Sequence, residues 1–346
     1  MKTASLRPVV RSMAMAIAAC SVSHAASERY SCVLGPTSTV NQTTNLVLPL
    51  AGTWIGNYNA TTNPTGTQTR PGLFGGSGNV AIPYTMSIRP TVAINGAHPA
   101  GTFTLGFDPV TRAVAVYGLQ SNLLNGQQGT VAVNVRLTYS TFRSFSPNSI
   151  FPGVNNVDVP LESGSLTAAT ASQTAPAYGL ATANTDGSFA FTVAVPVTIA
   201  VAGTAAGQPF ESSSAGLLAL NGTISVSGTQ ATVAAQATVN ETGPVPPPPP
   251  LVDQPFGLPT IPPGSTANLL LSGTFSEGTV TTAATITLAA VGPRVPRPTD
   301  LDGNGVVNGD DLGVLLTAWG TAHFADLTLD GVVNGDDLGR LLVDWG

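Results

Sequence analysis

The sequence of 346 residues predicts an all-β body, a sandwich or a barrel, followed by a small α-helical unit. The body is indicated by its composition, rich in Gly, Thr, Ala and Val over residues 27–292, and by short runs in which apolar and polar side chains alternate as in half-buried strands. The helical unit is indicated by residues 300–346, where a twelve-residue segment rich in side-chain oxygens occurs twice, each time ahead of an apolar stripe at helical spacing.

From the N-terminus, Lys2, Arg7 and Arg11 precede an apolar run over residues 13–20, and Ser23-His24-Ala25 fits a small-x-small cleavage site. Residues 1–25 therefore read as a secretory signal peptide, and the protein as extracellular or cell-surface. Ile17-Ala18-Ala19-Cys20 resembles a bacterial lipobox, which makes a lipoprotein anchored through Cys20 the alternative to plain secretion. Cleavage leaves Cys32 as the one cysteine, so no intrachain disulfide can form, although Cys32 could link two chains. No later segment reads as a transmembrane helix, because the longest apolar stretch, residues 190–202, is broken by Thr192, Pro196 and Thr198.

The all-β domain is expected over residues 26–292, with strands at 79–89, 101–107, 113–120, 130–138, 188–201, 217–226, 231–239 and 268–288. Phe107-Asp108-Pro109-Val110-Thr111 has the residues of a hairpin turn. The phrases Leu48-Pro49-Leu50-Ala51-Gly52-Thr53-Trp54, Leu218-Ala219-Leu220-Asn221-Gly222-Thr223-Ile224 and Leu269-Leu270-Leu271-Ser272-Gly273-Thr274-Phe275 repeat one pattern, either an internal duplication or a coincidence of Thr-rich strands. A proline-rich loop or linker is expected at 244–265, with a surface loop preferred because too little strand follows it to form a separate core. A second linker is expected at 293–298.

In residues 299–346 the first loop runs from Asp300 to Asp311 and the second, 26 residues on, from Asp326 to Asp337. A hard cation such as Ca2+ takes six to eight oxygens from carboxylates, amides, a backbone carbonyl and water, around a loop turned sharply at a glycine in its sixth place. The first loop offers Asp300, Asp302, Asn304, the carbonyl of Val306, Asn308 and Asp311, with Gly305 at the turn. The second offers Asp326, Thr328, Asp330, the carbonyl of Val332, Asn334 and Asp337, and binds more weakly because Thr328 replaces a carboxylate. Behind the loops, Leu312, Leu315, Leu316 and Trp319 recur as Leu338, Leu341, Leu342 and Trp345, and the two apolar faces are expected to pack on each other. Between Gly305–Gly320 and Gly331–Gly346, 13 of 16 residues are identical.

These paired EF-hand-type loops, closing with Asp rather than Glu and followed by one helix each, resemble a dockerin module over residues 299–346 alone. The resemblance implies a cohesin-type partner or a cell-surface scaffold, docked through Gly309-Asp310 and Gly335-Asp336, whose identity in the two repeats would allow two orientations. The chain departs from the family pattern at Thr317-Ala318 and Val343-Asp344, where basic residues often occur. Residues 300–346 carry nine acids and one base, Arg340, against nine acids and eight bases in 26–299, so without Ca2+ the unit should repel itself and lose structure. Nucleic acid is excluded as a partner by the lack of a basic patch.

Catalytic signals in the body are weak. His98 and His323 sit in loop-like contexts, and Gly75-Gly76-Ser77-Gly78-Asn79 lacks the pattern of a nucleophile elbow or a phosphate loop. Asp158 and Glu162 are the closest of the carboxylates that could serve glycosidic cleavage. Trp54, Asn57 and Tyr58 could stack on a polysaccharide, and Tyr139, Phe142, Phe145 and Phe151 form a second aromatic group, although aromatic residues on strands are more often core. The sequence thus favours a secreted, calcium-binding, non-catalytic β domain carried on a dockerin-like module. A glycoside hydrolase with such a module, acting in polysaccharide breakdown, is the alternative.

Overall fold

The computed structural model describes residues 27–161, 163–205, 207–260 and 264–346. The signal peptide, Cys20 and Glu162 lie outside the described residues. The body is antiparallel β throughout. Its strands are β1 (Glu28–Leu34), β2 (Thr39–Gly56), β3 (Thr69–Pro71), β4 (Ile82–Ala97), β5 (Ala100–Phe107), β6 (Ala113–Asn122), β7 (Gly129–Tyr139), β8 (Phe142–Phe145) and β9 (Asn148–Phe151). They continue as β10 (Val154–Pro160), β11 (Gly164–Gln173), β12 (Ala177–Ala183), β13 (Phe189–Ala205), β14 (Gln208–Ser227), β15 (Gln230–Val245), β16 (Leu251–Pro259), β17 (Thr266–Phe275) and β18 (Gly278–Pro293). Two short helices follow, α1 (Gly309–Thr317) and α2 (Gly335–Val343).

Alternation decides which way each strand faces. In β7, Val131, Val133, Val135, Leu137 and Tyr139 turn inward while Thr130 and Ala132 are exposed. In β15, Ala231, Val233, Ala235 and Ala237 do the same. The hairpin turn at Asp108 forms as its residues predict: the Asp108 carboxylate accepts the N–H groups of Val110 (2.8 Å) and Thr111 (3.2 Å).

The sheet closes on itself. β12, β13, β14, β15, β18, β1, β5 and β6 pair in succession, and β6 pairs back onto β12, so this part of the body is a barrel. β18 is shared, its C-terminal end pairing with β1 and its N-terminal half with β2. From there β2, β4 and β7 run back to β11, forming a second tier under which a separate core collects. The barrel core holds Phe103, Leu105, Val116, Phe191, Val193, Leu220, Val233 and Leu288. The second core centres on Trp54, stacked on Tyr84 at 5.0 Å and meeting Tyr139 edge-on at 5.1 Å. A small sheet of β3, β8 and β9 brings Phe142 and Phe151 onto it.

The repeated phrase has a packing role. Gly52 and Gly273 face each other across β2 and β17, and a Cβ on Gly52 would lie 2.0 Å from the Ser272 carbonyl oxygen. A Cβ on Gly222 would lie 2.1 Å from the carbonyl oxygen of Ala234. Each copy thus places glycine where a neighbouring strand comes too close for a side chain.

Two segments expected as irregular are partly structured, while the polyproline run at 246–250 stays outside the strands as expected. Within 244–265, Pro244 and Val245 end β15 and residues 251–259 form β16 against β17, because extended proline geometry is compatible with an edge strand. Residues 293–298 do not swing free of the body. The Val295 N–H donates to the Arg29 carbonyl at 2.7 Å, and Arg294 pairs with Glu28 at 2.8 Å.

Cys32 is fully buried on β1, and that burial pushes its thiol up to about 12. Native protein should resist alkylation by iodoacetamide at pH near 8 and react only as it unfolds. Labelling at the rate of a free thiol would contradict this placement. Trp54→Ala should lower the unfolding free energy by about 3–5 kcal/mol, as expected for an indole deleted from a closed core. Chemical denaturation monitored by circular dichroism reads that loss.

Candidate metal centres

The two loops fold around their first and last aspartates. In the first loop the Asp300 carboxylate accepts the N–H groups of Gly303 (2.8 Å), Asn304 (3.1 Å) and Gly305 (2.8 Å), wrapping the chain around itself. Gly303 and Gly305 take φ of 77° and 91°, a region that side chains resist. Asn308 caps α1 by accepting the Asp310 N–H, and Asp311 completes a capping box by accepting the Asn308 N–H at 2.8 Å. The other Asp311 oxygen accepts from Leu301 (2.6 Å) and Asp302 (3.1 Å). Carboxylate oxygens of Asp300, Asp302 and Asp311 all lie within 4.8 Å of one another. Asn304 sits between them, its amide donating to Asp302 at 2.8 Å. Val306 follows on the exposed rim.

The second loop repeats the hydrogen-bond frame, although among the described residues three carboxylates lie within 4.8 Å of one another in the first loop alone. Asp326 accepts from Leu329 (2.7 Å), Asp330 (3.3 Å) and Gly331 (2.8 Å), and Asp337 accepts from Leu327 (2.7 Å), Thr328 (2.9 Å) and Asn334 (2.7 Å). The Thr328 hydroxyl lies 3.3 Å from Asp326 and 3.1 Å from Asp337, so it faces the loop interior as a ligand in the third place must. Asn334 donates to Asp330 at 3.0 Å and to the carbonyl of Val332 at 3.3 Å.

Their electrostatics differ. Asp311 is fully buried, which opposes its charge, yet the N–H groups of Asn308, Asp302 and Leu301 outweigh burial and hold it below the ordinary aspartate range. Asp326 is fully buried too, and there burial prevails: the carboxyl is pushed above its ordinary range, with Asp337 and Asp330 adding to the rise. A cation between them would relieve both penalties. The donor set of each loop, hard oxygens alone, suits Ca2+.

The second loop is also pressed against the barrel. Ser27 donates to the carbonyl of Leu327, Arg29 to those of Phe324 and Asp326 (the latter at 2.9 Å), and Tyr178 to that of His323 at 3.3 Å. Leu329 lies in the fourth place, where the first loop has Gly303, and takes φ of 61°. A leucine in the left-handed region costs about 1–2 kcal/mol. Its side chain is 4% exposed in a seat made by Ala113, Ala115 and Tyr117, and such burial returns roughly 1.5–3 kcal/mol. Sequence reasoning missed Ser27, Arg29, Tyr178 and Leu329. The readable signal was the mismatch itself, a leucine replacing glycine in otherwise matched loops.

The apolar stripes pack only in part. Leu315 and Leu341 are fully buried in a small core with Val307, Ala325, Leu327 and Val333, with Leu312 and Leu338 beside them. Leu316, Trp319, Leu342 and Trp345 are each about half exposed: Leu316 and Leu342 lie within α1 and α2 on their uncovered sides, and Trp319 and Trp345 follow the helix ends at Thr317 and Val343.

Among the other candidates, Trp54 is fully buried and presents no ring to a sugar, while Asn57 is exposed and Tyr58 half-buried. Tyr139, Phe142 and Phe151 are core, whereas Phe145 carries Arg70 and Arg143 against its ring at 4.4 and 4.8 Å. Asp158 is held by Arg136 through two hydrogen bonds of 2.8 and 2.6 Å. His98 Nδ1 lies 3.0 Å from the Ser38 carbonyl, and His323 Nδ1 accepts the Ala325 N–H at 3.2 Å. Among the described residues, no helix is long and apolar enough to cross a membrane.

No protein-family model and no curated protein sequence matches the chain. Among solved structures, the outer membrane protease OmpT of Escherichia coli aligns at 11% identity and a TM-score of 0.23, over 76% of this chain and 98% of its own. The InvG secretin domain of Salmonella aligns at 8% and 0.19, over 85% of this chain and 69% of its own. The PilQ secretin of V. cholerae aligns at 7% and 0.19, over 80% and 63%. At such scores none of these likenesses bears on the fold or activity of this chain.

Replacing Asp337 with Ala strands the N–H groups of Leu327, Thr328 and Asn334 in a buried place and removes the α2 capping box. Without any metal, the substitution should cost about 1–3 kcal/mol and reduce helicity, read by circular dichroism in chelator.

Proposed function

We propose that this is a secreted calcium-binding protein whose residues 299–346 form a dockerin-like module, and that the module attaches a non-catalytic β domain to a cohesin-type protein or a cell-surface scaffold. The observation that carries the reading is the recurrence of one three-dimensional frame in both loops. In each, the first aspartate gathers the loop amides and the closing aspartate caps the following helix. Each frame brings buried carboxylate together with oxygen donors, and the Asp326 carboxyl, raised by burial and by its acidic neighbours, is a group that a divalent cation would stabilise.

Attachment is supported by what the module leaves uncovered. Leu316, Trp319, Leu342 and Trp345 are exposed at matching places in the two repeats, as are Gly309-Asp310 and Gly335-Asp336. Aromatic and aliphatic anchors of this kind carry most of the energy of protein–protein contacts. The repeats differ in access, since Gly335, Asp336, Arg340 and Val343 line a cleft of about 680 Å3 whose far wall includes Asp108, Thr111 and Leu180 of the barrel. A partner therefore meets the first repeat with less obstruction.

Calcium added to the chelated protein should raise helicity and melting temperature, and the double substitution Asp300→Ala, Asp326→Ala should abolish both gains. Helicity and melting that are indifferent to calcium and to chelator would remove the basis of this reading.

A further inference from the structure

We infer that ion binding in the second loop and docking of the module onto the barrel are one linked equilibrium, whereas the first loop binds independently of the barrel. The inference rests on the calcium reading above and goes beyond it, because it assigns a role to the barrel wall. Every contact that seats the second loop falls within or beside its ligand-bearing segment. Ser27 holds the carbonyl of Leu327, Arg29 holds the carbonyl of Asp326 itself, and Leu329 fills the seat of Ala113, Ala115 and Tyr117. The left-handed backbone at Leu329 is also the one in which the Leu329 and Asp330 N–H groups reach the Asp326 carboxylate. Docking thus stabilises the conformation in which the oxygens of Asp326, Thr328 and Asp337 come together. A ligand that favours the same conformation is strengthened by docking and strengthens docking in return. The first loop has no such support: Gly303 takes the left-handed backbone without a side chain, and Asp302, Gly303 and Asn304 are exposed.

Arg29 acts on an ion in two opposing senses. It fixes loop carbonyls, and its positive charge repels a nearby cation. With Asp326, Asp330 and Asp337 it leaves a net charge that a divalent ion would neutralise. The test therefore uses uncharged substitutions. Gly106 lies on the outer face of β5, where a Cβ would come within 2.9 Å of the Leu329 side chain, so Gly106→Val blocks the seat from the barrel side. Leu329→Ala empties the seat while keeping a side chain in the left-handed backbone.

The full-length chain carrying Asp300→Ala, in which the second loop is the remaining site, is titrated with calcium by calorimetry alone and with each added substitution. Both substitutions should weaken binding by roughly tenfold, within the usual range for coupled sites. Gly106→Val placed in an Asp326→Ala chain should leave the first loop's affinity unchanged. In the Asp300→Ala chain, chelation should increase oxidative labelling of Tyr117, which the docked loop covers. Unchanged calcium affinity in both seat variants would overturn the linkage while leaving the calcium reading intact. Equal losses at both loops would also overturn it, by showing that the substitution acts through general damage. No calcium binding by the parent chain would sink the calcium reading and the linkage together.

Discussion

Where β6 meets β12, Val114 pairs with Gly179 and Ala115 with Tyr178, and this short ladder, together with β11, which pairs with both β6 and β13, closes the sheet into a barrel. Without it the backbone groups of residues 113–116 and 177–180 would be left as open edges. The seam is covered on both faces. Val114 and Val116 point into the barrel core, while Ala113, Ala115 and Tyr117 point outward and are buried under Leu329 of the C-terminal unit. One run of chain thus closes the barrel and holds the module. The segment Ala113-Val114-Ala115-Val116-Tyr117 is apolar at every position, as a strand covered on both sides requires.

The duplicated unit shows how context separates two nearly identical sequences. Both closing aspartates are fully buried, and both cap the helix behind them, so the oxygens expected to meet an ion also hold the local fold together. That dual use makes each loop well formed through its own hydrogen bonds. What distinguishes the loops is their surroundings: an open cleft lined by Phe103, Thr104 and Tyr117 lies between the first and the barrel, and the second is held by Ser27, Arg29, Tyr178 and the Leu329 seat. An affinity ranking based on ligand type, with Thr328 against Asp302, leaves out the energy of that contact.

The strand-rich body was legible because alternation survives wherever one face meets a core and the other meets solvent, as in β7 and β15. The hairpin at Asp108 was legible because its turn chemistry is local. The helices were legible from the apolar stripe behind each loop, but the stripe is covered only at Leu312, Leu315, Leu338 and Leu341, and Trp319 and Trp345 fall beyond the helix ends. Trp54 could not be placed from its neighbours, since its burial depends on Tyr84, Tyr139 and Phe142, supplied by three other strands. The polyproline run at 246–250 stays outside the strands, but residues 251–259, which include Pro255 and Pro259, form an edge strand, where only part of the ladder is needed.

The amino-acid sequence by itself determined the local chemistry: alternating strands, a capped pair of loops, and a charge balance that gathers acid at the C-terminus. These depend on side chains within a few residues of one another. The tertiary structure alone decided that the sheet closes into a barrel, that Cys32 is sealed in the barrel core and Trp54 in the second core, and that the second loop rests on the barrel wall while the first does not. Those outcomes turn on pairings between segments far apart in the chain, such as Arg29 with Asp326, and spacing along one sequence does not specify which distant backbone groups will meet.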